Sequence, residues 1–318
     1  MDDIQDPVLD PVLDCLVIGG GPAGLQAALT LGRLHRSVLL LDSGAYRNDP
    51  ADAMHNMLGH DGTDPADLRA AARADLAAYP SVAVRDVAVR TVTAVDDGFR
   101  AELADGTAAT GRRLVLATGL RDTLPDLPGL APLFGNVAAH CPYCHGHEYA
   151  GTHVAILGSG PHVARVALLL ERIAARITVL ADGGELDPPT AALLDDAGVA
   201  VRPEPVTGVC RSAAGATLTL AGGPPEEVGG LFVAPTLSQA APFADQLGLD
   251  LLPSGCVRVD LLGRTSRPGV YAAGDLAHVP ELPMPMAAVL TAAAAGLVAA
   301  TAVDGDRLAE RVGLAPPA

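Results

Sequence analysis

Short runs that are apolar throughout, or apolar but for one threonine, set the pattern of this chain. Cys15-Leu16-Val17-Ile18, Val38-Leu39-Leu40-Leu41, Leu114-Val115-Leu116-Ala117, Val154-Ala155-Ile156-Leu157 and Ile177–Leu180 lack the alternation of a half-exposed strand. Such runs predict strands buried on both faces, as in a parallel sheet covered by helices. Helices are expected over Leu25–Leu34, from Pro65 (capped by Asp64) to Tyr79, and after the fourth run to about Ala175. Shorter strands are expected at Val82–Val84, Arg90–Val95, Phe99–Leu103, Val199–Arg202, Thr217–Leu220 and Leu231–Ala234. Asp97-Gly98 serves as a hairpin turn. Residues 1–14 read as an acidic tail, and Ser43–Gly62 as a mostly solvated loop containing Tyr46, Arg47, Asn48, His55 and Asn56. The run Ala287–Val303 has the length of a membrane span. It is mostly alanine, so a buried helix is expected.

Glycine placement gives this pattern a chemistry. The first run ends in Gly19-Gly20-Gly21-Pro22-Ala23-Gly24, a G-x-G-x-x-G turn between strand and helix. Its first glycine permits the tight turn, the second a close approach to a pyrophosphate, and the third close helix–strand packing. Asp42 ends the second run, 23 residues after Gly19, where an acid can meet an adenosine ribose. The order recurs at Gly158-Ser159-Gly160, with Asp182 24 residues on. There Val163 replaces the third glycine and should hold helix and strand further apart. Two dinucleotide-type units about 140 residues apart predict an α/β fold with two Rossmann-like domains.

Composition narrows the partners. The net charge is −16, all 21 basic residues are arginine, and no basic stripe appears. Nucleic acid and anionic membranes are therefore not expected partners. Five cysteines in 318 residues do not make a secreted disulfide scaffold. Met1-Asp2-Asp3 carries no signal-peptide pattern, so a cytoplasmic protein is expected.

The candidate chemistry lies in His140-Cys141-Pro142-Tyr143-Cys144-His145-Gly146. A Cys-x-x-Cys pair can be a redox disulfide, half a zinc site, a haem attachment box because His145 follows Cys144, or a purely structural pair. Zinc would have to recruit His147 and His153 at atypical spacing, since Cys15, Cys210 and Cys256 stand alone, and no metal site is expected. His140, His147, His153 and His278 are read as structural or surface histidines.

Taken in order, Gly19–Gly24, Leu116-Ala117-Thr118-Gly119, the cysteine pair, Gly158–Gly160 and Gly269–Asp275 resemble the low-molecular-weight thioredoxin reductase family across nearly the whole chain. The resemblance implies a homodimer and a discontinuous FAD domain, residues 1–121 and 236–318. A second NAD(P)-type domain, residues 122–235, would carry the cysteines. It implies that Gly19, Gly20, Gly21, Pro22, Ala23 and Gly24 line the FAD pyrophosphate, with Asp42 and Ser43 at the ribose. Arg47, Asn48, Asn56, Val87, Ala117, Thr118, Gly119, Gly274, Asp275, Ala287 and Ala288 would surround the rest of the cofactor.

Departures from the family pattern point further. Where the reductases have an aspartate after the pair, this chain has His145. Their His-Arg-Arg for the NADPH 2′-phosphate is replaced by Ala181-Asp182-Gly183, which favours NADH if any nicotinamide binds. Their flavin-side arginine–glutamine pair aligns with Ala287-Ala288. Cys-Pro-Tyr-Cys-His-Gly followed by Glu148 resembles FAD-dependent dithiol oxidases of the gliotoxin, holomycin and romidepsin type. That likeness implies Cys141, Cys144 and His145 as catalytic residues, a small-molecule dithiol as substrate, and oxygen as acceptor with hydrogen peroxide as product. The alternative is an NAD(P)H-dependent disulfide reductase.

Overall fold

The computed structural model describes residues 12–314, so most of the acidic stretch read over residues 1–14 lies outside the described residues. The chain divides into two compact units. One takes the chain up to Arg47, Ala66–Arg121 and the part from Ser238; the other takes Asn48–Pro65 and Asp122–Leu237.

The first unit is a seven-stranded sheet. Strands β1 (Leu13–Ile18), β2 (Val38–Asp42), β3 (Val82–Asp86), β4 (Val89–Val95), β5 (Gly98–Leu103) and β6 (Ala108–Leu116) stand in the order β3-β2-β1-β6-β5-β4. A further strand, Val270–Ala272, runs parallel to the last three residues of β6, whose first half pairs antiparallel with β5. Alternate residues of β1 face opposite cores. Leu16 and Ile18 pack with Phe243, Leu247 and Val257, whereas Cys15 and Val17 pack with helix α1 (Pro22–Arg33) and the C-terminal helix Val289–Val312. Both faces are covered, which is why residues 15–18 of β1 and 38–41 of β2 are all apolar.

The alanine-rich segment is a core helix, Val289–Val312, that runs nine residues past the end of its apolar run at Val303. Beyond Val303 it continues through Asp304, Asp306 and Arg307, which pair with Arg36, Arg264 and Asp14. It is long and apolar enough to cross a membrane by length and composition, but its face Ala292, Ala299, Ala300 and Val303 is buried in this unit. Gly296 allows the contact: a Cβ there would lie 2.0 Å from the carbonyl oxygen of Ala23.

Two local expectations change. The β4–β5 hairpin turns on Asp96-Asp97, and Gly98 already pairs with Val95. Gly98 is needed for close approach, because a Cβ would lie 2.3 Å from the Gly111 oxygen. Helix α2 (Pro65–Leu76) stops short of Tyr79, and the helix after the second glycine turn, His162–Leu170, stops short of Ala175.

The second unit holds five parallel strands in the order Ala200–Arg202, Arg176–Leu180, His153–Leu157, Gly230–Phe232, Ala138–Ala139. Beside them lies an antiparallel trio, Val206–Ser212, Gly215–Leu220 and Glu226–Val228. Each unit is thus a Rossmann-like α/β layer. Asn48–Pro65, which the sequence reading kept in the first domain, packs with this second unit. Gly135 is the reason: at φ +96° it has no side chain, and a Cβ would lie 2.3 Å from the Pro50 oxygen.

Helix Pro188–Asp196 is capped by Asp187, whose Oδ1 accepts the Thr190 N–H at 2.8 Å and whose Oδ2 accepts the Thr190 hydroxyl at 2.9 Å. Asp187→Ala is expected to cost about 1 kcal/mol, read by chemical denaturation with an unchanged slope.

Candidate active site

In the first unit, parallel strands deliver their C-terminal ends to one edge. Ile18 and Ala272 both register with Leu116, so Gly19, Ala117 and Ala273 leave the sheet side by side. The backbone joins them: Ala117 N–H donates to the Ile18 oxygen at 2.8 Å, Ala273 N–H to Leu116 at 2.9 Å, and Gly19 N–H to Leu41 at 2.9 Å. Ligands of open α/β sheets bind along such an edge.

The glycine turn is shaped by what surrounds it. A Cβ on Gly19 would lie 2.2 Å from the Ala117 oxygen, and one on Gly24 would lie 1.8 Å from the Gly19 oxygen. A Cβ on Gly21 would meet nothing within 4 Å. Gly21 is the N-cap of α1, Pro22 follows, and no side chain caps the helix and no acid occupies its first turn. Open space over the one uncrowded glycine, facing uncapped N–H donors, fits a pyrophosphate.

Asp42 is buried at the end of β2, only 2% exposed, under Gly20. Its Oδ1 accepts the Gly44 N–H at 3.0 Å, and its Oδ2 accepts both the Tyr46 hydroxyl and Arg73. Burial pushes this carboxyl up, but the bonds from Tyr46, Gly44 and Arg73 outweigh it and hold it below its ordinary value. Its carboxylate therefore anchors the loop after β2, and Ser43 is the exposed neighbour. The Tyr46 hydroxyl is pushed up to about 12, by burial first and then by Asp42. Tyr46 was read as a solvated loop residue and Arg73 did not stand out in the sequence, since an arginine on an amphipathic helix carries no mark of its partner.

The remaining first-unit candidates divide. Arg47 Nη1 lies 2.8 Å from Asp275 Oδ2, which closes one flank of the edge. Gly274, at φ +82°, brings its chain within 3.0 Å of the Ala23 Cβ, measured from the Cβ it lacks. Thr118 follows Ala117, and the Gly119 oxygen accepts the Ala240 N–H at 3.2 Å. Val87 sits in the β3–β4 turn against the core. Ala287 precedes Ala288, the N-cap of the C-terminal helix. Asn48 and Asn56 fall in the second unit, Asn56 at φ +60° with its N–H donating to Asp61 Oδ1 at 2.8 Å.

In the second unit, strand Ala138–Ala139 runs into His140 and then one helical turn, α3 (Pro142–His145), with Cys141 as its N-cap. Cys141 and Cys144 form a disulfide across that turn, their Cα atoms 5.3 Å apart. The His145 ring is partly buried, and its Nε2 lies 3.0 Å from the Gly135 oxygen. That bond places a proton on Nε2 and leaves Nδ1 as the basic atom. Burial is the main influence on this imidazole and lowers its proton affinity, against the opposing pulls of the Gly135 carbonyl and Glu148.

Three of the other histidines are engaged structurally. His140 stacks on Phe134, His153 binds the Glu227 oxygen and Thr178, and His278 binds Ser254 and the Leu282 oxygen. Among the described residues no cluster of three or more His, Cys, Asp or Glu could hold a metal ion.

The second glycine turn differs from the first. The His162 ring lies across it, its Nδ1 2.9 Å from where a Gly160 Cβ would stand and its Nε2 3.5 Å from that of Gly158. Val163 is fully buried beside it. Asp182, at φ +55°, accepts the Val206 N–H at 2.7 Å.

A family model for pyridine nucleotide-disulphide oxidoreductases matches residues 13–296. The thioredoxin reductase tcpT of Claviceps purpurea is 33% identical over 93% of this chain and 95% of its own. The thioredoxin reductase aclD of Aspergillus oryzae is 41% identical over 55% of this chain, which spans 58% of that relative's length. The crystal structure of HlmI is 33% identical, with a TM-score of 0.85 over 95% of this chain and 94% of its own. The chain belongs to the pyridine nucleotide-disulphide oxidoreductase family and is a flavin-dependent thiol–disulfide oxidoreductase.

Proposed function

We propose that this protein is a dithiol oxidase, closing a disulfide in a small-molecule dithiol with oxygen as the final acceptor. The observation that carries the reading is the Cys141–Cys144 disulfide with a partly buried imidazole, His145, one residue beyond it. A substrate thiol gives its proton to His145 Nδ1, and its sulfur attacks Cys141 Sγ. The enzyme disulfide breaks and Cys144 leaves as thiolate. The second substrate thiol, once deprotonated, attacks the mixed disulfide and frees Cys141, so the product carries the new S–S bond. When bound, FAD would supply the redox chemistry that takes the electron pair left on the cysteines to oxygen, the two thiol protons completing hydrogen peroxide. The cradle at Gly19–Gly24 would hold its pyrophosphate, with Arg47 and Asp275 on one flank.

Two features favour this direction over nicotinamide-driven reduction. His162 lies where a second pyrophosphate would approach, and the Asp182 carboxylate is engaged by Val206. We place the enzyme in the cytoplasm as a homodimer, on its likeness to the family.

Anaerobic addition of NADH, NADPH or a small dithiol to the yellow protein tests the reading. The dithiol is expected to bleach the flavin, both nicotinamides to leave it oxidised, and air to restore it with peroxide formed. Rapid bleaching by NADH would make the enzyme a reductase.

His145 adds a pH signature. Burial, the largest influence, keeps its imidazole neutral to below the ordinary histidine range. The rate of flavin reduction by dithiol is therefore expected to hold through pH 7 and fall only on the acid side of that range. His145→Asn is expected to lower the rate about 10²-fold and to remove that acid limb, as stopped-flow pH profiles would record.

A further inference from the structure

The loop that joins the second unit at Gly135 also carries a second imidazole to His145. Met54 and Thr63 bridge its ends, with Met54 N–H donating to the Thr63 oxygen at 2.8 Å, and Met54 is buried. His55 follows Met54 and stands between two carboxylates. Its Nδ1 lies 3.6 Å from Asp61 Oδ1, and its Nε2 3.5 Å from Glu148 Oε1. Asp61 is held there by the Asn56 N–H. The His55 ring meets that of His145 edge-on, at 78° with centroids 6.4 Å apart.

The surroundings of His145 leave few other charges. Glu148 lies one turn on and His55 beside it, with Asp61 behind His55. Next to Glu148, Tyr149 donates its hydroxyl to the Asn136 oxygen. Leu170, at the end of helix His162–Leu170, and Ile173 beyond it lie 3.2 and 3.4 Å from where a Gly146 Cβ would stand, so the turn meets apolar side chains there. An anion and a second imidazole thus act on one base in opposite senses.

We propose that His55 is a positioning residue for His145: it holds the Glu148 carboxylate on one side and meets the His145 ring edge-on, offsetting the pull of that carboxylate on the base. The proposal rests on the dithiol-oxidase reading, in which His145 takes the substrate proton.

The test is an NMR titration of the His145 ring in the oxidised, flavin-loaded protein, for the wild type, His55→Gln and Glu148→Gln, with a stopped-flow pH profile of dithiol reduction for each. Bound-flavin absorbance and circular dichroism check the fold, and His55→Asn replaces His55→Gln if that variant does not fold. The His145 midpoint is expected to rise by about half a pH unit in His55→Gln and to fall by about as much in Glu148→Gln. The acid limb of the rate should follow both. A purely structural role would loosen the site in either variant and raise the midpoint in both, because burial is what lowers it. Midpoints that do not move, or that move the same way, overturn the proposal. Opposite midpoint shifts with an unmoved rate limb would leave the coupling intact but overturn His145 as the base, and with it the positioning role of His55.

Discussion

Cys141→Ser is expected to stop dithiol oxidation, by about 10³-fold or more, while the purified protein stays yellow with its flavin in full stoichiometry. The exchangeable S–S bond is the only route by which the proposed mechanism takes electrons from substrate, and serine cannot form it. No other thiol can stand in. Cys15 is buried in β1, where burial pushes its thiol up to about 12, and Cys256 is buried and likewise raised, mainly by burial. Cys210 is exposed, but it lies on an outer strand of the antiparallel trio, a different sheet from the one whose strand Ala138–Ala139 leads into α3. Cys210→Ser is accordingly the control that keeps wild-type turnover. The measurement is oxygen consumption with a small dithiol, beside the flavin-to-protein absorbance ratio. Wild-type turnover in Cys141→Ser would end the assignment. Loss of flavin together with activity would mean that Cys141 supports the fold as well.

The second large effect separates two glycines three residues apart. Gly24→Val is expected to lose both flavin and stability, by about 2–3 kcal/mol, because its Cβ would overlap the Gly19 oxygen at 1.8 Å and α1 would have to lift from β1. Gly21→Ala should behave differently. Gly21 has an ordinary negative φ of −75°, and nothing lies within 4 Å of its missing Cβ. The apoprotein is expected to lose about 1 kcal/mol at most, the cost of alanine at an N-cap. FAD affinity is expected to fall by about 100-fold, since the methyl group would stand where the pyrophosphate approaches. Fluorescence titration of the apoproteins, beside their denaturation curves, reads both quantities. Wild-type FAD affinity in Gly21→Ala would place the phosphates elsewhere on the edge.

Much of this was legible because the relevant residues are contiguous. The run Cys15–Ile18 names a doubly buried strand, and β1 has a core on each face. Its glycines then leave the backbone little choice, and the same holds for a disulfide closed between two cysteines three positions apart. The helix Val289–Val312 was legible as buried but not in length, because its last turns are held by ion pairs to Arg36, Arg264 and Asp14 rather than by an apolar face.

The glycine turns show where such reading stops. Both present glycine, a helix start and a later acid, and Val163 was the visible difference between them. The larger difference is the exposed His162 ring beside the second turn, a side-chain placement that the glycine spacing does not specify. Asp42 was legible as an acid at a strand end. That Tyr46 and Arg73 saturate it from a loop and from α2 was not, because those partners meet only after β2 and β3 pair.

The sequence by itself determined two Rossmann-like layers, a glycine turn at Gly19–Gly24, and a Cys-x-x-Cys pair followed by a histidine. Each is a property of a few consecutive residues, governed by backbone geometry and by which faces are apolar. Only the tertiary structure decided that residues 48–65 join the second unit and bring His55 to His145, 90 positions away in the chain. That juxtaposition depends on the backbone at Pro50 passing where any side chain on Gly135 would stand, a long-range packing condition with no local signature.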